Sequence, residues 1–176
     1  ITAVSENLRM ETFKHFDIKK EIEVIVNFVD VSRFQRQPIN AFKKVIAPNG
    51  ERILLHASNF RKIKRVQDVV KIFAEVNKQI PSKLLFVGDG PERSTAEDLA
   101  RELGVCDEIQ FVGKQEQMED IMPIADLFLL TSEYESFGLA ALEAMAAGVP
   151  VVSTNAGGLS EIVTDGDNGY MGDVGD

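Results

Sequence analysis

The chain has 176 residues, 44% of them apolar, with 19 Lys and Arg against 28 Asp and Glu for a net charge of −9. That length fits one domain with a buried core, and no apolar run approaches the roughly 20 residues a membrane-spanning helix needs. The acidic balance excludes the broad basic face that nucleic acid or an anionic lipid surface requires, while a single cysteine, Cys106, excludes an intrachain disulfide or a cysteine-rich metal framework and fits a reducing cytoplasm.

The first 30 residues hold one helix-like stretch and one β-branched run at 22–26. The start, Ile1-Thr2-Ala3-Val4-Ser5, lacks an initiator Met, and the end, Gly172-Asp173-Val174-Gly175-Asp176, reads as the middle of a loop, so a fragment is expected. Residues 1–30 read as the tail of another domain, and 31–49, with its polar stretch 32–38, as an interdomain linker. From residue 50 onward, β-branched apolar runs at 53–56, 84–87, 109–112, 127–131 and 149–154 read as strands. Most are apolar at consecutive positions, the pattern of strands covered on both faces. Helices are expected between them. At 66–76 the spacing of Val66, Val69, Val70, Phe73 and Val76 gives one apolar stripe, with Pro81 as the stop. A second helix fits 93–103, closed by Gly104, and a third 138–147, closed by Gly148 with Pro150 beyond. Alternating strands and helices predict an α/β domain with a doubly wound parallel sheet, whose ligands bind at strand carboxyl ends.

The most informative stretch follows the strand at 127–131. It runs Ser132-Glu133-Tyr134-Glu135-Ser136-Phe137-Gly138-Leu139 and carries Glu143 eight positions after Glu135. A helix starting after Ser136 leaves Glu135 before its N-terminus and Glu143 inside it, with free first-turn N–H groups between them to hold an anion. Gly138 permits close approach of a phosphate to the backbone. Spacing alone also fits a capping box from Ser132 to Glu135 and a solvated Glu143. The second cluster, Ser58-Asn59-Phe60-Arg61-Lys62-Ile63-Lys64-Arg65, puts four cations in five residues of an acidic chain. Cations at a helix start oppose the macrodipole, which favours a ligand for Arg61 and Lys64, while Lys62 and Arg65 are expected to face water. Gly88-Asp89-Gly90-Pro91 lacks the third glycine of a dinucleotide fingerprint and reads as a turn, as does Asn155-Ala156-Gly157-Gly158. Phe111-Val112-Gly113 ends a strand where backbone groups can meet a nucleobase edge. Neither His15 nor His56 has a triad partner, and no zinc, EF-hand or Walker pattern is present.

Taken together, Arg61 to Lys64, Gly88-Asp89-Gly90-Pro91, Phe111-Val112-Gly113 and the segment from Glu135 to Pro150 resemble the nucleotide-sugar half of GT-B glycosyltransferases of family 4, over about residues 50–176. The resemblance implies a GT-B C-terminal Rossmann-like domain preceded by the tail of a mostly missing N-terminal acceptor domain. Within the family, Ser58-Asn59-Phe60-Arg61 followed by Lys64-Arg65-Val66 resembles members that move N-acetylglucosamine from UDP-N-acetylglucosamine to L-malate, with retention and without a metal or other cofactor. By that resemblance Arg61 and Lys64 contact the diphosphate, and Glu135 contacts the hexose. Ser136 and the amides of Phe137, Gly138 and Leu139 support phosphate and sugar, Glu143 holds the ribose, and Val112 pairs with uracil. Asn59 also belongs to the donor site, although many family members place an arginine near it. Implied partners are the nucleotide sugar, a small acceptor, the rest of the same chain and, as an open possibility, a second copy. Another family 4 transferase, a sugar-nucleotide epimerase and a non-catalytic nucleotide-sugar-binding domain remain alternatives.

Overall fold

The consecutive apolar residues of each main strand divide between two cores. In the computed structural model, which describes residues 1–34 and 41–176, strand β3 (Arg52–Ser58) sends Ile53 and Leu55 to one face and Leu54 to the other. Strand β4 (Ser82–Gly88) divides likewise, with Leu85 and Val87 on the first face and Leu84 and Phe86 on the second. Helix α3 (Val66–Asn77) covers the second face with Val66, Val69, Val70, Phe73 and Ala74, and α4 (Arg93–Glu102) adds Ala96 and Ala100. Each large side chain so buried stabilises the fold by about 1.5–3 kcal/mol relative to exposure.

The first face is covered by α2 (Ala41–Ile46), α5 (Met118–Ile121) and α6 (Leu139–Ala146). Ala141, Ala144 and Ala147 are buried there, so small side chains bring α6 close to the strands. With β5 (Ile109–Phe111), β6 (Leu127–Leu130), β7 (Val151–Thr154) and β8 (Gly169–Gly172), the sheet has six strands in the order β5-β4-β3-β6-β7-β8. Every pair is parallel. Its expected doubly wound form is observed, with one strand, β8, beyond those expected.

Residues 1–24 stand apart from this sheet. There β1 (Thr2–Ala3) and β2 (Glu23–Val24) form a two-stranded parallel sheet around α1 (Glu6–His15). The stretch expected as a linker is packed on both sides of 35–40, which with part of the polar stretch 32–38 lie outside the described residues. Phe34 ends a single 3₁₀ turn, Val31–Phe34, and joins Ile46 and Ala47 in the first core, because these apolar residues complete the cover of the sheet. Among the described residues no helix is long and apolar enough to cross a membrane.

Candidate functional site

Strands β3 and β6 are neighbours, yet β4 follows on one side and β7 on the other. Their carboxyl ends therefore flank the topological switch point, where a crevice opens in sheets of this kind. Two loops meet there. The cationic loop after β3 passes through a 3₁₀ turn, Lys62–Lys64, and the acidic loop after β6 runs from 131 to 138. They are stitched together by the Glu133 N–H donating to the Ile63 carbonyl at 2.8 Å, and by the Thr131 hydroxyl on the carbonyls of Lys64 and Arg65 at 3.1 Å each.

The stitching brings Lys64 Nζ to 2.5 Å from Glu135 Oε1, although the two residues are 71 positions apart. Ser132 Oγ donates to the same carboxylate oxygen at 2.7 Å. Only 18% of the Lys64 side chain and 13% of that of Glu135 remain exposed, so solvent screens this pair far less than a surface one. A cavity of about 250 Å³ is lined by Ser58, Asn59, Lys64, Glu135, Gly138 and Leu139. A second, of about 480 Å³, shares Ser58 and Asn59 and continues past Gly88, Lys114 and Gln115.

Glycines shape both loops. A Cβ on Gly88 would stand 1.8 Å from the Ser58 carbonyl oxygen, and one on Gly90 2.2 Å from that of Asn59. The acidic loop is pressed in the same way: a Cβ on Gly157 would meet the Glu135 carbonyl oxygen at 2.1 Å, and one on Gly158 that of Ser136 at 2.5 Å. The two glycine pairs that the sequence offers as turns are thus the floor on which the site loops rest.

The remaining expected residues are distributed around this pair. Gly138 starts α6 in the left-handed region at φ +96°, and the N–H groups of Phe137, Gly138, Leu139 and Ala140 have no acceptor among the described residues. The capping-box reading is corrected here: Ser132 and Glu135 hydrogen-bond within the loop, and the helix begins only at Leu139. Glu143 lies in α6, half-buried, and its carboxylate has no hydrogen-bond partner among the described residues; burial, with the Glu119 charge nearby, raises its carboxyl above the usual range. Ser136 is exposed and its carbonyl accepts from the Ser5 hydroxyl. The Val112 N–H is committed to the Phe86 carbonyl at 3.0 Å, and its own carbonyl accepts Gln115 Nε2 at 2.8 Å. Arg61 is exposed beside the cleft and does not line either cavity. Arg65 does not simply face water: it caps α3 from φ +48° and pairs with Asp68 at 2.5 Å, which offsets its unfavourable place at a helix start.

Two further contributors, His56 and Ser58, take their roles from the fold. His56 is wholly buried between Phe60 and Phe86. It lies 2.9 Å from the Leu129 carbonyl through Nδ1 and 2.8 Å from Ser58 Oγ through Nε2. The carbonyl only accepts, so Nδ1 carries the proton and Nε2 accepts from the Ser58 hydroxyl at the cavity edge. Desolvation, then the Lys64 charge, lower its pKa to about 4, so it stays neutral. Among the described residues no group of three or more His, Cys, Asp or Glu is placed to hold a metal ion.

An all-parallel, doubly wound sheet with a polar crevice at its switch point defines the α/β class whose ligands bind across strand carboxyl ends. The chain belongs to the glycosyl transferases of group 1, whose family model matches residues 39–176. It is 45% identical over 177 residues to N-acetyl-alpha-D-glucosaminyl L-malate synthase of Bacillus anthracis, covering 100% of this chain and 46% of that protein. It is 31% identical over 174 residues to D-inositol 3-phosphate glycosyltransferase of Corynebacterium kroppenstedtii, covering 90% of this chain and 39% of the relative. The crystal structure of Anabaena Alr3699/HepE in complex with UDP and glucose superposes with a TM-score of 0.90 at 25% identity, over 99% of this chain and 49% of the other. This chain therefore spans less than half the length of these relatives, and its fold is that of the GT-B C-terminal, Rossmann-like domain. The similarity to the Bacillus protein also reaches upstream of the expected start at residue 50, across the whole chain.

Proposed function

We propose that the whole protein is a retaining glycosyltransferase that moves N-acetylglucosamine from UDP-N-acetylglucosamine to a small hydroxy acid, L-malate, in the cytoplasm as a step of bacillithiol formation. The observation that carries the reading is the Lys64–Glu135 pair at the switch point beside the free amides that begin α6. The choice of sugar and acceptor rests on the printed name of the Bacillus anthracis relative. Residues 1–30 are read as the tail of the acceptor half, so this chain alone binds nucleotide weakly and turns over little.

Lys64, with Arg61 reaching in from the rim, takes the diphosphate in place of a metal. The N–H groups of Phe137, Gly138 and Leu139 add donors at a helix start, where the dipole favours negative charge. These preorganised groups stabilise the charge growing on departing UDP by several kcal/mol in a site closed to water. The Glu143 carboxylate, with no partner among the described residues, accepts from the ribose diol, and Glu135 accepts from a hexose hydroxyl once phosphate has drawn Lys64 away. Asn59 lies between the two cavities and donates to the phosphates or ribose. The Val112 carbonyl accepts the uracil N3–H after Gln115 swings aside.

The test is product analysis by nuclear magnetic resonance on the full-length protein with UDP-N-acetylglucosamine and L-malate. An α-glycoside of malate is expected. Interconverted donor sugars without acceptor would identify an epimerase, and binding without transfer or hydrolysis a non-catalytic domain; both overturn the proposal.

A further inference from the structure

The turn Gly157–Glu161 has two partners. Toward the cleft, the Gly158 N–H donates to the Glu135 carbonyl at 2.8 Å, and its glycines press on residues 135–136. Away from the cleft, the Glu161 carboxylate accepts the N–H of Glu6 at 2.9 Å through one oxygen and that of Asn7 at 2.7 Å through the other. These are the first two residues of α1, whose amides have no partner inside the helix and whose dipole favours a negative charge.

Ser5, wholly buried, completes the junction. Its side chain accepts the Leu8 N–H at 3.0 Å, as an N-cap does, and its hydroxyl donates to the Ser136 carbonyl at 2.5 Å. One helix end is thus anchored twice to the loop that carries Glu135, directly through Ser136 and indirectly through the turn. None of the ten residues of α1 is buried, so apolar packing among the described residues gives the helix only a weak hold. A carboxylate supplied from 155 positions away is not needed to start a helix that Ser5 already caps. It ties the start of that helix to the turn.

We propose that Glu161 is a positioning residue: by clamping the start of α1 it locks the N-terminal tail onto the loop bearing Glu135, and so sets how the two walls of the cleft face each other. Its kinetic consequence rests on the glycosyltransferase reading above, while its structural consequence does not. The nucleotide contacts proposed above, Lys64, Glu143 and the first amides of α6, take no part in the hydrogen bonds of this junction, so loosening it leaves UDP binding intact and weakens the step that needs both walls.

The experiment uses the full-length protein and its Glu161→Ala, Glu161→Gln and Ser5→Ala variants. Hydrogen exchange should show the Glu6 and Asn7 amides exchanging at least tenfold faster in Glu161→Ala than in the wild type, whether or not any substrate turns over. UDP affinity by calorimetry should stay within about twofold, while kcat for glycoside formation falls about tenfold, with Glu161→Gln between the two because one carboxamide oxygen still accepts. Combining Glu161→Ala with Ser5→Ala should reduce kcat no further than the worse single change, since both act on one junction. Unchanged exchange, equal losses in UDP affinity and kcat, or fully multiplicative losses in the double variant would each overturn the proposal. A wild type that clamps these amides yet makes no glycoside would overturn the proposed function alone.

Discussion

Gly157 offers the sharpest test of how the acidic loop is held. Replacing it with Ala puts a Cβ 2.1 Å from the Glu135 carbonyl oxygen, a separation below the 3.0 Å that real Cβ contacts respect. Both partners are backbone, so the Glu135 peptide must move by about 1 Å or the turn must lift, at about 1–3 kcal/mol for overpacking. At φ +60° the new side chain adds about 1–2 kcal/mol for the left-handed conformation. A displacement of about 1 Å at a group that positions substrate costs about 10²-fold in rate. Gly148→Ala is the matched comparison: its φ is +69°, but a Cβ there meets nothing within 4 Å, so it carries the conformational cost alone. Urea unfolding should show both variants destabilised, and kcat/KM for the full-length protein should fall about a hundredfold in Gly157→Ala only. If Gly157→Ala keeps kcat/KM within a few-fold of Gly148→Ala, the loop does not rest on this glycine as argued.

Calorimetry should separate the two glutamates, with Glu143→Ala weakening UDP itself and Glu135→Ala weakening the sugar nucleotide far more than UDP; equal losses for both ligands in both variants would refute separate roles. Lys64→Ala strips a mostly buried carboxylate of its cation and should cost about 2 kcal/mol of stability, with loss of UDP affinity; a variant as stable as the wild type in urea would contradict the pairing. His56 has a folded-state pKa lowered from 6.5 to about 4, so protonation favours the unfolded chain. Its contribution is complete above about pH 6.5 and is lost as pH falls through 4, a loss of about 3 kcal/mol. Unfolding at pH 7.5 and pH 4 should therefore show a smaller acid loss in His56→Asn than in the wild type, and equal losses would exclude His56 as the source.

The central strands are legible because double burial writes itself into consecutive apolar residues, as at Leu84, Leu85, Phe86 and Val87. β8 leaves no such trace: it is an edge strand, Gly169-Tyr170-Met171-Gly172, with no buried residue. α2 and α5, at six and four residues, are too short for a helical period to register. Within the site, Lys64 and Glu135 each stand out from local charge and helix-start chemistry, but their contact depends on which strands become neighbours, and that is a property of the whole sheet. The contacts of Ser58, His56, Gly157 and Gly158 are hidden for the same reason, since a serine, a core histidine and a turn glycine acquire their roles only from what the fold sets against them.

The contact between Lys64 and Glu135 has a consequence for selectivity. An ammonium already neutralised by a neighbour offers little attraction to stray anions such as inorganic phosphate. A ligand that brings both an anionic oxygen for the lysine and a hydroxyl for the glutamate replaces each broken interaction with a new one. The resting crevice is in this way self-quenched, so an anion that cannot also satisfy the carboxylate gains little by entering it.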